Sequence, residues 1–483
     1  MVAEAIDAAE QEFEWCLKVL APLGGYAANS DFAEAVPRFQ LRLLDAITAL
    51  EQVYRRVKQE EKRVISRKPD LDQRWFRQRM VKLAFYTKAL AHVLAIGRSI
   101  GDGFAWFFYE SHRELIEEHR KHQRQPLLPP RIGALGERLT LQNMLVIDGK
   151  LMLYHGITTF LRIGDFTLID LKTFEVAAIG ELKSSRPDDE HVQTEVSLVS
   201  VNPKLLPRIQ ATKPAEKMPA RMSITPAMAD RLKRQKKVMF EALEAAAKDR
   251  EKAAPAKLSE FHFGALEDIV RRCDTRKFEW VKAGPGFVIG AVRIGPSHKR
   301  QLSTTLLNNA GANAAELAVD APDWAMKIVC DDRRLNSMMI GTLFGEEGDM
   351  IAPRGSFPVS LWPLSPEVLA DLLLQRVMVI TLLNPAHLWI ALEAKGYELV
   401  TDREGRVTGA KMIEGDLLTE LSSLEHYTRM IASFMMTEAS ILALIEQLMA
   451  SARGKFDGRP MKVELDMKIK RFPDLRKTRN LNR

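Results

Sequence analysis

Apolar residues recur at steps of three and four through roughly the first 120 positions, the spacing of helices with one buried face. In FQLRLLDAITALEQVYRRV, residues 39–57, that face holds Leu41, Leu44, Ile47, Leu50, Val53, Tyr54 and Val57. The same pattern continues from Arg74 through GDGFAWFFY, where Gly97, Gly101 and Gly103 interrupt it. Glycine weakens a helix, so a break or a close backbone contact is expected there. Asp102 sits in this stretch, but Phe104, Trp106, Phe107 and Phe108 around it read as core that docks onto the next domain. A proline-rich boundary, QRQPLLPPRIG, follows near residue 130.

The period then changes. ALGERLTLQNML, residues 134–145, reads as a short amphipathic helix. LVIDGKLMLY, residues 145–154, reads as two strands about an Asp148-Gly149 turn. IGDFTLIDLKTFEVAAIGELKSS, residues 163–185, is an apolar hairpin with acids and a lysine at its mouths. SRPDDEHVQTE, residues 185–195, reads as a polar loop, and a basic helix follows from Ala229 to a second boundary near residue 255. Beyond it, FEWVKAGPGFVIGAVRI reads as a hairpin turning at Gly284-Pro285-Gly286. WAMKIVC and QRVMVITLL read as strands, and residues 417–452 as one or two long helices. Asp331 and Asp332 follow WAMKIVC as an acidic turn. Helix and strand alternate, so the expected class is α/β. The expected organisation is a helical region over 1–125, an α/β core with a mixed central sheet over 130–250, an α/β or α+β domain over 258–455, and a basic tail over 456–483.

Composition adds limits. The 483 residues are 46% hydrophobic and 28% charged, ordinary for a globular chain. The N-terminus begins acidic and helical, unlike a secretory leader, and the longest apolar run, VMVITLLNPAHLWIAL, is broken by Asn384, Pro385 and His387. No membrane partner is expected. Cys16, Cys273 and Cys330 lack disulfide or zinc spacing, which points to a reducing cytoplasm. From Arg453 to Arg483 there are eleven Lys/Arg against four Asp/Glu, an excess equal to the net charge of +7 of the whole chain. A basic tail suits an acidic partner such as a phosphate backbone.

The candidate chemistry lies in the 163–185 hairpin. A turn centred on Thr173 would set Asp165 directly opposite Glu181, where facing Cβ atoms lie about 5 Å apart. Two carboxylates at that distance resist joint ionisation, and a divalent cation between them removes the conflict. Oxygen ligands favour Mg²⁺ or Mn²⁺. Alternation along a strand puts Glu181 and Lys183 on one face, so the lysine stands beside the acids and could orient a water or stabilise charge on a phosphate. Acid-x-Lys occurs six times in the chain. Only Glu181/Lys183 ends an apolar strand whose hairpin partner begins with an acid.

These residues resemble the core of the PD-(D/E)xK nuclease superfamily. The resemblance rests on GDFTLID and EVAAIGELKSS preceded by a helix carrying Glu137, and covers about residues 130–250. It implies that Asp165 and Glu181 ligate the metal, that Lys183 positions water and that Glu137 is the helix-borne acid. Gly164 stands where the superfamily's name has proline. The basic helix with Arg231, Arg234 and Gln235 would match the superfamily's second helix and contact nucleic acid. The implied function is a metal-dependent nuclease acting on nucleic acid, DNA before RNA. A homodimer would allow a paired cut, and a role in bacterial defence is an extension of the same resemblance. The competing reading is a non-catalytic nucleic-acid-binding or scaffold protein built on a nuclease-like fold.

Overall fold

The computed structural model describes residues 2–21, 32–109, 112–121, 137–142, 146–147, 149–170, 173, 175–185, 193–199, 260–273, 278–293, 321–330, 339–342, 358–422, 424–453 and 461–465. Helix and sheet are mixed, and the chain divides into two compact units at Ala254/Pro255.

The first unit opens with α1 (Val2–Leu20), α2 (Phe32–Ser66), α3 (Gln73–Phe108) and α4 (Arg113–Lys121). The apolar stripe of α2 is buried at Leu43, Leu44, Ile47, Leu50, Val53 and Val57, while Leu41 and Tyr54 are half-buried. A turn at Lys68–Asp70 reverses the chain, and Asp72 caps α3 by accepting from the Trp75 N–H at 2.8 Å. The glycines of α3 do not break it. They bring other groups against its backbone: a Cβ on Gly97 would lie 2.5 Å from the Phe13 ring, and one on Gly101 only 1.9 Å from the Ile157 carbonyl oxygen. Gly101→Ala therefore has to push a backbone carbonyl aside. The gain in helix propensity, about 1 kcal/mol, is smaller than the cost of overpacking. A net loss of about 2 kcal/mol is expected, read as a lower urea midpoint at unchanged slope.

By length and composition α3 is apolar enough to cross a membrane, which the run over residues 377–392 had been expected to come closest to doing. Its two charges near the apolar end have protein partners: Arg98 is 2.5 Å from Glu51, and Asp102 accepts from Thr159. The run over 377–392 is instead a strand followed by a short helix.

A short helical segment, 137–142, leads into β1 (Val146–Ile147), β2 (Lys150–Tyr154), β3 (Phe166–Asp170), β4 (Val176–Ser185) and β5 (Gln193–Val199). The five strands lie in sequence order. Every pairing is antiparallel, so the mixed central sheet that was expected is not found among the described residues. Gly149 turns the first hairpin at φ +71°. The polar stretch expected to be a loop ends in β5. It is an edge strand, and an edge strand needs no two-sided apolar pattern.

The second unit runs α5 (Phe263–Arg272), β6 (Glu279–Lys282), β7 (Phe287–Arg293), α6 (Asp323–Cys330), β8 (Met339–Thr342), α7 (Pro366–Leu373), β9 (Val377–Leu383), α8 (Ala386–Glu393), β10 (Glu398–Thr401), β11 (Val407–Glu414), β12 (Leu417–Leu421), α9 (Leu424–Phe434), α10 (Glu438–Arg453) and β13 (Met461–Leu465). It holds two four-stranded sheets, β6-β7-β9-β8 and β10-β11-β12-β13. The only parallel pair among the described residues is β12 with β13, so part of the basic tail is strand. WAMKIVC is helical rather than extended. Ala325 and Val329, one helical turn apart, are the residues it buries, and Asp323 favours the first turn of a helix. LLTEL forms β12, ahead of the two helices read there. Asp331 and Asp332 lie outside the described residues.

Candidate active site

The hairpin β3/β4 sets the site. Phe166 pairs with Gly180, so the next positions outward are Asp165 and Glu181, the register expected from the sequence. Towards the turn the register slips by one residue, through a bulge at Leu168/Ile169, and Ile169 pairs with Val176. Asp165 lies just before β3 and is fixed by three bonds. Its N–H donates to the Gly180 carbonyl at 2.7 Å, its carbonyl accepts from the His155 N–H at 2.9 Å, and its Oδ2 accepts from the Leu182 N–H at 2.7 Å. The carboxylate thus rests on the peptide that joins Glu181 to Leu182. Gly164 precedes it at φ +74°, a conformation closed to the ring-locked φ of proline. That is a physical reason for glycine where the superfamily's name has proline.

Glu181 is 4% exposed in the second strand in from the edge, and Lys183 Nζ donates to its Oε1 at 2.6 Å. The two side chains therefore share one face of β4. Glu137, on the segment 137–142, is also buried and accepts a hydrogen bond at Oε2 from the Tyr154 phenol. Burial pushes its carboxyl up to about 7. The charges of Asp165 and Glu181 push in the same direction, while Tyr154 and Lys183 pull the other way. Hydrogen bonds bring Asp165, Glu181 and Lys183 to one end of the β3/β4 hairpin, while Glu137 is tied to Tyr154 at the end of β2. Arg231, Arg234 and Gln235 lie outside the described residues.

The helices hold this arrangement in place. Gln40 of α2, fully buried, grips β2 with both ends of its amide: Nε2 donates to the Met152 carbonyl and Oε1 accepts from the Tyr154 N–H, each at 2.8 Å. Arg138 pairs with Asp45 of α2 at 3.0 Å, which anchors the segment carrying Glu137. Asp102 of α3 accepts from the N–H of Thr159 at 2.6 Å and from its hydroxyl. Burial, only partly offset by those bonds, raises Asp102 to about 6. Asp102 is thus a clasp on the loop that delivers Asp165. Phe104, Trp106 and Phe108 around it are core, as the sequence suggested, while Phe107 is only half-buried.

A buried polar chain completes the clasp. His119 of α4 presents Nδ1 to two backbone donors, Arg162 N–H at 3.0 Å and Ile163 N–H at 3.1 Å, so that nitrogen accepts and Nε2 carries the proton. His155 presents Nδ1 to the Gly164 carbonyl at 3.1 Å, so there Nδ1 carries the proton and Nε2 accepts from the Thr167 hydroxyl at 2.8 Å. The Tyr109 hydroxyl donates to Thr167 Oγ1 at 2.5 Å and faces His119 Nε2 at 3.4 Å. Each member's role follows from its neighbour's. Burial drives the His155 imidazole down to about 3, which keeps it neutral. Tyr154, His155, Thr167, Tyr109 and His119 were not singled out from the sequence. The one legible signal was Tyr154, since a phenol ending an apolar strand needs a polar partner.

The donor chemistry suits a hard divalent cation. Asp165 and Glu181 offer carboxylate oxygen, and Mg²⁺ is commonly held by one or two carboxylates, the rest of its shell being water and phosphate. Among the described residues no group of three or more His, Cys, Asp or Glu side chains is gathered to hold a metal ion. A cation would therefore rest on the pair Asp165 and Glu181. The chain matches no protein-family model, and no curated protein or solved structure is similar enough to it to count as a match.

Proposed function

We propose that the first unit is a Mg²⁺- or Mn²⁺-dependent nuclease that hydrolyses phosphodiester bonds, with DNA as its substrate. The observation that carries this reading is the pairing at the end of the β3/β4 hairpin: Asp165 Oδ2 accepts from the Leu182 N–H, next to Glu181, and Glu181 accepts from Lys183. Two acids and a lysine drawn together beside a buried strand are a common mark of a functional site. A bound divalent cation would supply Lewis acidity, polarising the phosphoryl oxygen and acidifying a water. Asp165, held by the Leu182 N–H, and Glu181 are the residues that would hold it. Lys183, beside Glu181, would hold the attacking water and offset charge growing on the phosphate. Glu137, its carboxyl raised to about 7, would take the proton that water loses as its oxygen bonds to phosphorus, and as the ester P–O bond breaks the departing oxygen would take a proton from solvent water.

The test is cleavage of plasmid, single-stranded DNA and RNA with and without Mg²⁺ or Mn²⁺. Asp165→Asn keeps an acceptor for the Leu182 N–H while removing the charge. Wild type should give metal-dependent products and Asp165→Asn none, with melting temperatures within a few degrees. Normal cutting by that variant sinks the assignment. One observation favours the non-catalytic alternative: Lys183 already satisfies Glu181 in an ion pair. Binding of nucleic acid without metal-dependent products would support it.

A further inference from the structure

Outside the site, a large positive charge lies on the far ends of α2 and α3. Residues 55–88 hold twelve Lys/Arg against four Asp/Glu, an excess of eight that exceeds the +7 of the entire protein. Outside this stretch and the basic tail, at +8 and +7, the remaining residues sum to −8, which offsets it in the total. This stretch is a two-helix arm. Between Arg55 and Ser66 only Val57 and Val64 are buried, and between Gln73 and Lys88 only Leu83 is. The contacts of α1 with these helices fall at the other end, where Phe13 meets Gly97 and Ile47 and Glu12 meets Arg42.

Part of the arm's charge is spent internally, since Arg55, Lys58, Arg63 and Arg79 pair with Glu51, Glu61 and Glu60. Arg56, Lys62, Arg67, Arg74 and Arg77 are exposed and make no ion pair among the described residues. Trp75, at the first turn of α3, is 46% exposed among them. An arm that only had to be solvated would gain by interspersing acids, because like charges four apart on a helix repel. A membrane-binding arm would show a continuous apolar face. Here the exposed apolar residues Ile65, Trp75 and Val81 are scattered, and the apolar residues that line up are used to pack the two helices together.

We propose that this arm binds the phosphate backbone of duplex DNA, with Arg56, Lys62, Arg67, Arg74 and Arg77 as the contacts and Trp75 flanking them. The ligand class rests on the proposed function, but the binding does not need the chemistry. It is measured in EDTA, by fluorescence anisotropy with a labelled duplex of about 25 base pairs (roughly 85 Å at 3.4 Å each), across a salt series. Each phosphate contact adds about 0.9 to the slope of log affinity against log salt. Replacing all five residues with glutamine should make that slope shallower by about 2–4 and weaken binding at least about tenfold at 0.15 M salt. Melting should be unchanged, because glutamine and arginine have similar helix propensity. The charge-keeping set Arg56→Lys, Arg67→Lys, Arg74→Lys and Arg77→Lys should bind nearly as wild type does. An unchanged slope and affinity in the glutamine variant overturns the proposal. So does loss of binding in the lysine set, or tighter binding to phosphatidylserine vesicles than to DNA at equal salt. Arm-dependent binding by a wild type that never cuts would leave the arm standing and remove the nuclease. Cutting that ignores the glutamine changes would do the reverse.

Discussion

Lys183→Met should abolish metal-dependent cleavage, lowering kcat by about a thousandfold or more, and should also destabilise the protein by about 1–3 kcal/mol. The two losses have different origins. The catalytic loss follows from removing the only cation that, among the described residues, contacts an acid at the end of β4. The stability loss follows because Glu181 is 4% exposed and would be left as a buried carboxylate without its 2.6 Å partner. The two are separable. In the double variant Glu181→Gln/Lys183→Met the buried charge is gone, so stability should return to near wild type while cleavage stays absent. Urea midpoints and single-turnover rates on the four proteins of this cycle give both numbers. If the double variant is no more stable than Lys183→Met alone, the ion pair is not what Lys183 supplies. If Lys183→Met cuts at the wild-type rate, the site is not where the chemistry happens.

The second large effect is a change with pH of the cost of losing His155. The imidazole is held neutral down to about 3 by burial, whereas in the unfolded chain it protonates near 6.5. Below pH 6.5 the unfolded state therefore binds a proton that the folded state does not, and stability falls as pH falls towards 3. At 1.36 kcal/mol per unit, the loss from pH 7 to pH 4 is about 3 kcal/mol. Two buried acids act in the opposite sense. Glu137, raised to about 7, and Asp102, raised to about 6, keep their protons in the folded state and stabilise it on the acid side, a contribution lost as pH rises through those values. The wild-type profile mixes all three. Comparison with His155→Gln removes the acids, which are common to both proteins. That variant should be less stable at pH 7, and its deficit should shrink by about 3 kcal/mol at pH 4. Parallel profiles for the two proteins would mean that His155 is not neutral in the fold.

The part of the site that the sequence revealed is the part made by local geometry. In the 163–185 hairpin, apolar residues fill the strands and charges mark their ends, so the register placing Asp165 against Glu181 could be read directly. The bulge at Leu168/Ile169 could not, but it lies towards the turn and leaves the site unchanged. Errors arose where a pattern supports two structures. WAMKIVC is too short for periodicity to separate helix from strand. Residues 193–195 read as the end of a polar loop, and pairing with β4 makes them part of a strand. What supports the site was hidden for another reason. Gln40, Asp102, Tyr109 and His119 lie 46 to 125 residues before Asp165 in a chain where no local pattern marks them, and their roles arise only when α2, α3 and α4 pack against β2 and the loop after it. The helical region therefore holds the loop that carries Asp165.

The length of α2 has a consequence for how long a substrate must be. From Asp45, which ties down the segment bearing Glu137, to Ser66 at the helix end there are 21 residues, a rise of about 32 Å. Duplex DNA covers that span in on the order of nine base pairs. An oligonucleotide shorter than this can occupy the acidic corner or the basic arm but not bridge them, so the bonus from holding both ends at once should set in abruptly with length.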